Sequence, residues 1–266
     1  MTTVRYEVED GVATITLNRP ETMNAMTLEF MAELRRSIER VHDEPEVRVL
    51  VITGAGRGFC AGADLADQAG GGGGGESRTI EELMDDVFHP VNRALVDCPV
   101  PTVARINGPT AGAGIGLALT CDVAVAAKSA FFAATFGPKL GIVPDMGVTW
   151  HLQNLVGPAH ARAIAMLGDR IPAEEAQRIG LIWQVVDDDA LDEAVGAIVS
   201  RLRTSSPDAM TRIRSAIAEA PGHTLNEQML LEAAHQAVLI PRNMGEGARA
   251  FVEKRTPVFG PERQER

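Results

Sequence analysis

Alternating apolar and polar residues at the start of the chain predict two paired strands. VRYEVEDGVATITLN, residues 4–18, alternates on both sides of Asp10 and Gly11, and Asp-Gly between two such runs is a strong hairpin signal. The next segment, residues 27–42, has the spacing of an amphipathic helix. The apolar residues that share one face of this helix are Leu28, Met31, Leu34, Ile38 and Val41. VRVLVITG, residues 47–54, is typical of a buried strand.

The first half of the chain combines strands and helices around shared sheets, and the last hundred residues are mostly helical. TVARING, DVAVAA and AFFAATF each predict a short strand, and glycine-rich turns separate them. From about Gly157 the pattern becomes helical, and the last long helix begins at Thr224, where Glu227 completes a capping box. AGGGGGGES, residues 69–77, has almost no side chains that can pack, so we expect a mobile surface loop. The fold class is therefore α/β with a C-terminal α-helical region.

Composition and charge exclude several classes of protein. With 266 residues, 45% hydrophobic and 23% charged, the chain has the composition of a globular protein with one main domain. A net charge of -11 without a basic run argues against nucleic acid as a partner. No apolar run is long enough to cross a bilayer, and MTTVRYEVED lacks the features of a secretory signal. We therefore expect a cytoplasmic protein with no membrane partner.

The familiar catalytic motifs are absent from the sequence. GAGIG, residues 112–116, does not fit a dinucleotide-binding turn, because the acidic Asp122 follows after only six residues instead of about twenty. No Walker lysine motif, H-E-x-x-H or G-x-S-x-G occurs. Cys60, Cys98 and Cys121 have no metal-like spacing, and we predict buried free thiols. We therefore expect neither a metal nor a redox cofactor.

Two glycine-rich turns are the remaining candidates for chemistry. GRGFCAGADL, residues 56–65, follows the strand VLVITG, and NGPTAGAGIGLALTCD, residues 107–122, follows TVARI. Turns built of Gly and Ala leave backbone N–H groups accessible, and a helix that begins just beyond them attracts negative charge. Two such turns that face each other would form an oxyanion hole. The alternative is that the glycines only allow a helix to pack closely on a sheet.

Four motifs, taken in order, resemble the enoyl-CoA hydratase/isomerase family, which has the crotonase fold. They are LNRPETMNAM, FCAGADL, NGPTAGAGIGLALTCDVAVAA and GARAFVEKRTPVFG, and they span nearly the whole chain. The resemblance implies a spiral core of repeated β-β-α turns, here residues 1–200, and a C-terminal helical trimerisation region, residues 201–266. It also implies an acyl-CoA substrate, of which coenzyme A is a part, and a homotrimer or a dimer of trimers.

The same resemblance places an oxyanion hole and a coenzyme A site on particular residues. The oxyanion-hole amides fall on Ala63 and Ala113. The positions that match coenzyme A contacts in the family are Arg19, Met23, Ala25, Ala61, Asp64, Leu65, Phe251 and Lys254. The last two match a pair that approaches the nucleotide of a neighbouring subunit. Phe136 and Trp150 are candidates for the acyl pocket, with core packing as the alternative for either one.

Both glutamates of the hydratases are missing from their expected positions. The first position falls on Gly116 and the second falls near Gly137, so a water molecule lacks an obvious acid and base pair. IVPDMG instead places Asp145 where certain isomerases of the family carry their catalytic aspartate. FFAATFGPKLGIVPDMGVTW is most similar to the ring-epoxide isomerases of the phenylacetate pathway.

The lone carboxylate of Asp145 has two interpretations. As a base, it would gain a raised pKa from burial beside apolar residues. The neighbours expected to bury it are Ile142, Val143, Met146 and Trp150. As a structural residue, it would cap the N-terminus of the helix that runs through Trp150. The two roles are not exclusive.

Three functions fit the sequence. The first is an acyl-CoA isomerase that shifts a double bond, from 3-enoyl to 2-enoyl or in a ring analogue, through an enolate with Asp145 as the single acid and base. The second is an enoyl-CoA hydratase, in which Asp145, Asp67 or Glu76 would have to manage water. The third is an acyl-CoA-binding scaffold without chemistry, which the missing glutamates suggest.

Overall fold

The strands and helices fall close to the positions that the sequence predicts. The computed structural model describes residues 2–65 and 79–263. The strands are β1 (Val4–Glu9), β2 (Val12–Leu17), β3 (Val49–Gly54), β4 (Thr102–Ile106), β5 (Thr110–Ala111), β6 (Val123–Ala127), β7 (Phe131–Ala133), β8 (Arg170–Pro172) and β9 (Gln184–Val186). The helices are α1 (Leu28–Arg40), α2 (Ile80–Leu83), α3 (His89–Val96), α4 (Ala113–Thr120), α5 (Val148–Leu167), α6 (Ala173–Arg178), α7 (Leu191–Arg203), α8 (Pro207–Glu219), α9 (Leu225–Leu239) and α10 (Gly245–Glu253). A π-helical turn, Met84–Phe88, joins α2 to α3.

Asp10 and Gly11 form the predicted hairpin between β1 and β2. Both residues have positive φ angles, 48° and 77°, as a tight two-residue hairpin turn requires. β1 pairs with β2 in antiparallel register, with Glu9 opposite Val12. The hairpin prediction is confirmed.

The chain winds as a spiral between two sheets. The larger sheet has the strand order β1-β2-β3-β4-β6-β9, and the smaller sheet has the order β5-β7-β8. After β4 the chain enters the smaller sheet at β5, forms α4 and returns to the larger sheet at β6, and it then enters the smaller sheet again at β7. Isolated parallel bridges, Met26 to Ala63 and Cys60 to Thr110, continue the same pattern in the earlier turns of the spiral. The predicted spiral of β-β-α turns is therefore present.

Apolar side chains cover both faces of the larger sheet. Because successive residues of a strand point to opposite faces, Leu50 and Ile52 join the main core whereas Val49 and Val51 join a second cluster. The second cluster includes Leu191 of α7, and the main core includes residues of α1, α3 and α4. Complete burial of such a side chain contributes about 1.5–3 kcal/mol. The strand ends from which the two glycine-rich turns begin are therefore fixed by buried side chains on both faces of the larger sheet.

The C-terminal helices leave apolar side chains uncovered. α9 begins at the predicted capping box, in which Thr224 and Glu227 each accept the other's N–H. No residue of α9 is buried, and the exposed ones include Leu225, Met229 and Leu230. α7 runs across position 200. The domain boundary at that position and the trimer stay predictions.

Arginine side chains fasten the C-terminal region to the core. Arg214 of α8 forms a two-point ion pair with Asp122, with both N–O distances 2.6 Å. Arg263, near the end of the chain, donates at 2.7 Å to three backbone oxygens beyond the end of α1, which are those of Val41, Glu44 and Val47. The tail therefore returns to the N-terminal part of the fold.

Other sequence predictions have mixed outcomes. Cys60, Cys98 and Cys121 are buried and free, as expected. The glycine run at residues 69–77, with Asp67 and Glu76, lies outside the described residues. Within the described chain, no helix is both long enough and apolar enough to span a membrane.

Candidate active site

The two glycine-rich turns lie side by side and are hydrogen-bonded to each other. The N–H of Phe59 donates to the oxygen of Pro109 at 3.0 Å, and the N–H of Ala111 donates to the oxygen of Cys60 at 2.9 Å. The bridge between Cys60 and Thr110 is part of the same contact. The two turns are therefore close enough to face each other, as an oxyanion hole formed by both requires.

Gly62 is a point of very close approach between the turns. A Cβ built at this position would lie 2.9 Å from the oxygen of Ala111 and 3.0 Å from the nitrogen of Ala113. Its φ angle of 88° also lies in the region that favours glycine. A larger residue would push the two turns apart.

The amides of Ala63 and Ala113 have no hydrogen-bond acceptor within residues 2–65 and 79–263. On either side of Ala63 the backbone is engaged, since Asp64 N–H donates to Met26 at 2.9 Å and Met26 N–H donates to Gly62 at 2.8 Å. Ala113 is the first residue of α4, so its N–H has no acceptor within the helix. Free N–H groups at the start of a helix attract negative charge.

Two asparagines that the sequence did not single out hold the first turn. Asn24 is fully buried. Its Nδ2 lies within 3.1 Å of three backbone oxygens, those of Ala55, Gly58 and Phe59. Asn107 accepts the N–H of Gly54 and donates to the oxygen of Gly56, both at 3.0 Å. An amide side chain both donates and accepts, so these residues fix the path of the turn without adding charge.

Several predicted coenzyme A positions are joined by Arg19. Its Nη1 donates to the carboxylate of Asp64 at 2.9 Å and to the oxygen of Ala25. The side chains of Arg19 and Asp64 are only 18% and 13% exposed. Met23, with a positive φ of 52°, accepts the N–H of Ala61 at 2.9 Å. These residues form one folded support for the first turn, and their contact with coenzyme A stays a prediction.

The remaining predicted coenzyme A positions are exposed. Leu65 follows the first turn and is 49% exposed. Phe251 lies near the end of α10 and is 85% exposed, and Lys254 ends that helix in a left-handed conformation, with φ 53°. Their role in binding, across a subunit boundary or otherwise, stays a prediction.

Asp145 does not cap the helix that follows it. α5 begins at Val148, its N-cap is Gly147, and no side chain caps it. Asp145 contributes only its backbone oxygen, which accepts the N–H of Val148 at 3.0 Å. The N-cap interpretation is therefore wrong, because the chain turns through Met146 and Gly147 before the helix starts. The carboxylate is left free for another role.

The carboxylate of Asp145 is desolvated, although not by all the expected neighbours. Its Oδ1 is buried and has no hydrogen-bond partner among the described residues. Burial raises the pKa of Asp145 above its ordinary value of 3.8, while its own backbone N–H and His89 act in the opposite direction. Of the apolar residues expected to bury it, only Met146 is buried. Ile142, Val143 and Trp150 are 50%, 76% and 54% exposed.

Gly116 packs the Asp145 turn against α4. It lies three residues after Ala113, which is about 4.5 Å along a helix axis. A Cβ built at Gly116 would lie 2.7 Å from the Cβ of Met146 and closer still to its oxygen. The turn that carries Asp145 therefore occupies the place where the resemblance expects a hydratase glutamate.

A partly buried polar network, which the sequence did not reveal, surrounds this contact. Asn92 of α3 donates to the oxygen of Met146 and to Oγ1 of Thr120, both at 2.8 Å. Thr120 donates to the oxygen of Gly116 at 2.7 Å and lies 3.0 Å from Nε2 of His151. Because the hydroxyl has one proton, Nε2 of His151 is the donor in that last contact. Burial lowers the pKa of His151 to about 4.

Phe136 and Trp150 lie in different surroundings. Phe136 is buried, and a Cβ built at Gly112 would lie 3.9 Å from its Cζ, so Phe136 borders the second glycine-rich turn. Trp150 lies on the exposed side of α5 and makes an edge-to-face contact with His151, at 5.1 Å between ring centroids. Phe136 fits a pocket beside the turn more directly than Trp150 does. No group of three or more metal-ligating side chains occurs in the part of the chain that the structure describes.

Paired turns beside a spiral of two sheets define a class of protein. The winding of β-β-α turns, followed by C-terminal helices, is the crotonase fold. Residues 7–262 match the family described as "Enoyl-CoA hydratase/isomerase". The chain belongs to this family, and it is an enzyme of the enoyl-CoA hydratase/isomerase type.

Relatives with different names match almost the whole chain. The "1,2-epoxyphenylacetyl-CoA isomerase" of Escherichia coli is 40% identical over 253 residues, which cover 95% of this chain and 96% of the relative. A Rhodobacter capsulatus protein named "Probable enoyl-CoA hydratase" is 39% identical over 258 residues, 97% of each chain. The crystal structure of an enoyl-CoA hydratase from Bacillus anthracis is 30% identical, with a TM-score of 0.88 over 98% of this chain and 100% of that one.

Proposed function

We propose that this protein is an acyl-CoA isomerase that shifts a double bond next to the thioester, with Asp145 as both base and acid. The observation that carries the proposal is the single desolvated carboxylate of Asp145, whose Oδ1 has no partner among the described residues. The turn that carries this carboxylate packs against α4 at Gly116, and the first N–H of α4, that of Ala113, is also unpaired in that part of the chain. A charged base and a donor for the developing oxyanion are thus available on adjacent segments.

The reaction needs only one proton to move. Asp145 removes a proton from C2 of a 3-enoyl thioester, and the C–H electron pair forms the enolate, whose negative charge falls on the thioester oxygen. The amides of Ala63 and Ala113 stabilise that oxygen; removal of one such donor typically costs about 10² to 10³ in rate. The protonated Asp145 then returns the proton to C4, which leaves the conjugated 2-enoyl thioester and the carboxylate.

Gly116 supports isomerisation over hydration. Water addition uses an acid and a base together, and the space beside Met146 leaves no room for a side chain at position 116. The E. coli relative is named as a 1,2-epoxyphenylacetyl-CoA isomerase, which supports a ring-bearing acyl group as the analogue of the enoyl chain. The hydratase function remains the second candidate because the Rhodobacter relative carries that name.

The test follows the conjugated thioester by its ultraviolet absorbance. Wild type and Asp145→Asn are incubated in deuterated water with 3-enoyl-CoA and, separately, with 2-enoyl-CoA. We expect conjugation of the 3-enoyl substrate by wild type and a loss of at least about 10³-fold in kcat for Asp145→Asn, since general acid-base catalysis contributes about 10² to 10⁴. Mass spectrometry of the product detects deuterium at the carbons that exchange.

The matched control is Asp169→Asn, which removes an exposed carboxylate beyond the end of α5, and it should retain wild-type rates. Asp145→Asn should still bind acyl-CoA, which isothermal titration measures. Consumption of 2-enoyl-CoA with formation of a hydroxyacyl product, at the same rate in both proteins, would replace this proposal with the hydratase function. Binding without turnover of either substrate would support the scaffold.

A further inference from the structure

The turn that carries Asp145 adopts an unfavourable backbone conformation. Met146 has a φ angle of 50° although it is not glycine, and a left-handed conformation costs such a residue about 1–2 kcal/mol. Its side chain is 1% exposed, so the turn is anchored by burial of that side chain. Gly147 follows with a φ of 73°. Contacts from other elements must keep a turn of this kind in one position.

Asn92 supplies such a contact from α3. Its Nδ2 donates to the oxygen of Met146 at 2.8 Å, across 54 positions of the sequence. The second proton of the same nitrogen goes to Thr120 at 2.8 Å. The Oδ1 of Asn92 is buried without a partner in the described part of the chain. Reversal of the amide would put two oxygens against each other at Met146, so the donor orientation is fixed.

Gly116 supplies the space in which the Met146 oxygen lies. The oxygen of Gly116 is held by Thr120, and Thr120 is also bonded to Asn92. The three helices α3, α4 and α5 therefore meet at the peptide between Met146 and Gly147, one residue beyond Asp145. A shift of that peptide would move the Asp145 carboxylate by a similar distance.

We propose that Asn92 is a positioning residue for Asp145, acting through the backbone oxygen of Met146 in the space that Gly116 leaves open. The inference rests on the proposed function, because it takes Asp145 as the base. Asn92 need not touch the substrate in this role. Its loss should therefore impair the chemical step and leave substrate binding intact.

The experiment compares two substitutions at Asn92 with the 3-enoyl-CoA assay. Asn92→Leu keeps the volume but removes both donors, and Asn92→Asp keeps the shape. We expect kcat to fall about 10- to 100-fold in both, since a misplacement of about 1 Å can cost 10²-fold. KM should stay within about threefold. Asn92 does not contact the substrate in this role, so its loss leaves unchanged the binding energy that the substrate and the transition state share. Asp145→Asn and wild type are measured in parallel.

A pH profile separates positioning from general loosening of the fold. In Asn92→Leu the turn is freer to reach solvent, so the burial that raises the pKa of Asp145 is reduced. The acidic limb of kcat should then move to lower pH than in wild type. The titratable groups that face the turn are His89 on α3 and His151 on α5, and both are unchanged in this variant. Arg93→Ala, an exposed change on α3, should match wild type in every measurement.

Each outcome decides for or against the inference. If Asp145→Asn is inactive while both Asn92 variants keep wild-type kcat, the inference is wrong and the proposed function stands. A rise in KM with unchanged kcat also overturns it, because Asn92 would then serve binding. If Asp145→Asn is as active as wild type, the proposed function fails and the inference fails with it. Should Asn92→Leu fold poorly by circular dichroism, the kcat of Asn92→Asp decides.

Discussion

At the scale of single residues, Asp145 is placed at a cost to stability. A buried polar atom without a partner costs about 1–3 kcal/mol, and Oδ1 of Asp145 has no partner in the described chain. As a helix N-cap, the carboxylate would accept a backbone N–H that offsets this cost, but Gly147 is the N-cap of α5. A catalytic role accounts for a carboxylate kept in this state, since perturbed acids concentrate at functional sites.

The pH dependence of activity provides a prediction for Asp145. Under the proposed function Asp145 must be ionised to act as the base, and burial raises its pKa above 3.8. The value of kcat/KM for a 3-enoyl-CoA should therefore fall as pH decreases through a point above 3.8. Steady-state rates measured across the acidic range check this, with circular dichroism at each pH to confirm that the protein is folded. If kcat/KM instead falls only at or below pH 3.8, the ordinary pKa of the carboxyl group, the carboxylate of Asp145 is not desolvated in solution.

Local sequence signals predicted Asp145 but not its supports. A lone acid in an apolar run, IVPDMG, is visible in one stretch of sequence. Of the apolar neighbours expected to bury it, Ile142, Val143 and Trp150 are each at least half exposed. Asn92 was missed, since its bond to Met146 spans 54 positions. The local sequence does not distinguish it, because Asn92 is one of two adjacent polar residues between the buried Val91 and Ala94 of α3.

At the scale of elements, predictions succeeded where one segment contains the whole signal. The Asp10–Gly11 hairpin and the Thr224 capping box are local structures, and both are confirmed. In the smaller sheet, β7 lies within the predicted strand AFFAATF, whereas β5, with two residues, is too short to show an alternating pattern. Strand order also depends on contacts between distant segments, so the spiral came from the resemblance and not from the pattern.

The first turn of α5 should make stability depend on pH through His151. Burial lowers the pKa of His151 to about 4 in the folded protein, below the ordinary value of 6.5 that applies to the unfolded chain. Stability is therefore fully present above 6.5 and is lost as pH falls towards 4. The loss reaches up to about 3 kcal/mol at 1.36 kcal/mol per pH unit.

The comparison of wild type with His151→Gln isolates this effect from that of the carboxylates. Urea unfolding at a series of pH values gives the free energy of unfolding for both proteins. The wild-type curve should fall more steeply between about pH 6.5 and 4, the interval between the unfolded and folded pKa values. Parallel curves would mean that His151 is solvated or already charged in the folded protein.

At the scale of the whole molecule, the C-terminal tail closes the fold onto its beginning. Arg263 bonds to backbone oxygens just beyond α1, and Arg48 bonds to the oxygens of Ser205 and Gly260. These contacts join segments more than 150 positions apart. We therefore expect the C-terminal segment that contains Gly260 and Arg263 to unfold together with the core.

Removal of the Arg263 side-chain charge tests this coupling. Hydrogen bonds to charged groups contribute about 1.5–3 kcal/mol each but do not add fully, so Arg263→Met should cost about 2–3 kcal/mol. For a chain of this size that corresponds to a decrease in Tm of about 4–8 °C. Differential scanning calorimetry measures it. Arg249→Met is the control, because Arg249 is exposed and its polar contact with Glu246 is long, at 3.5 Å. Equal Tm values for both variants would show that the tail is dispensable.

The contact between Gly116 and Met146 has a consequence for how such enzymes can evolve. A carboxylate at position 116 needs the volume that the Met146 peptide fills, so the two locations for an acid exclude each other sterically. Under the proposed function, a one-step replacement of Gly116 by an acid would displace the turn that carries Asp145, so the single-mutant protein would lose the base it already has. If the acid moves from one location to the other during evolution, α4 and the turn before α5 must therefore change together.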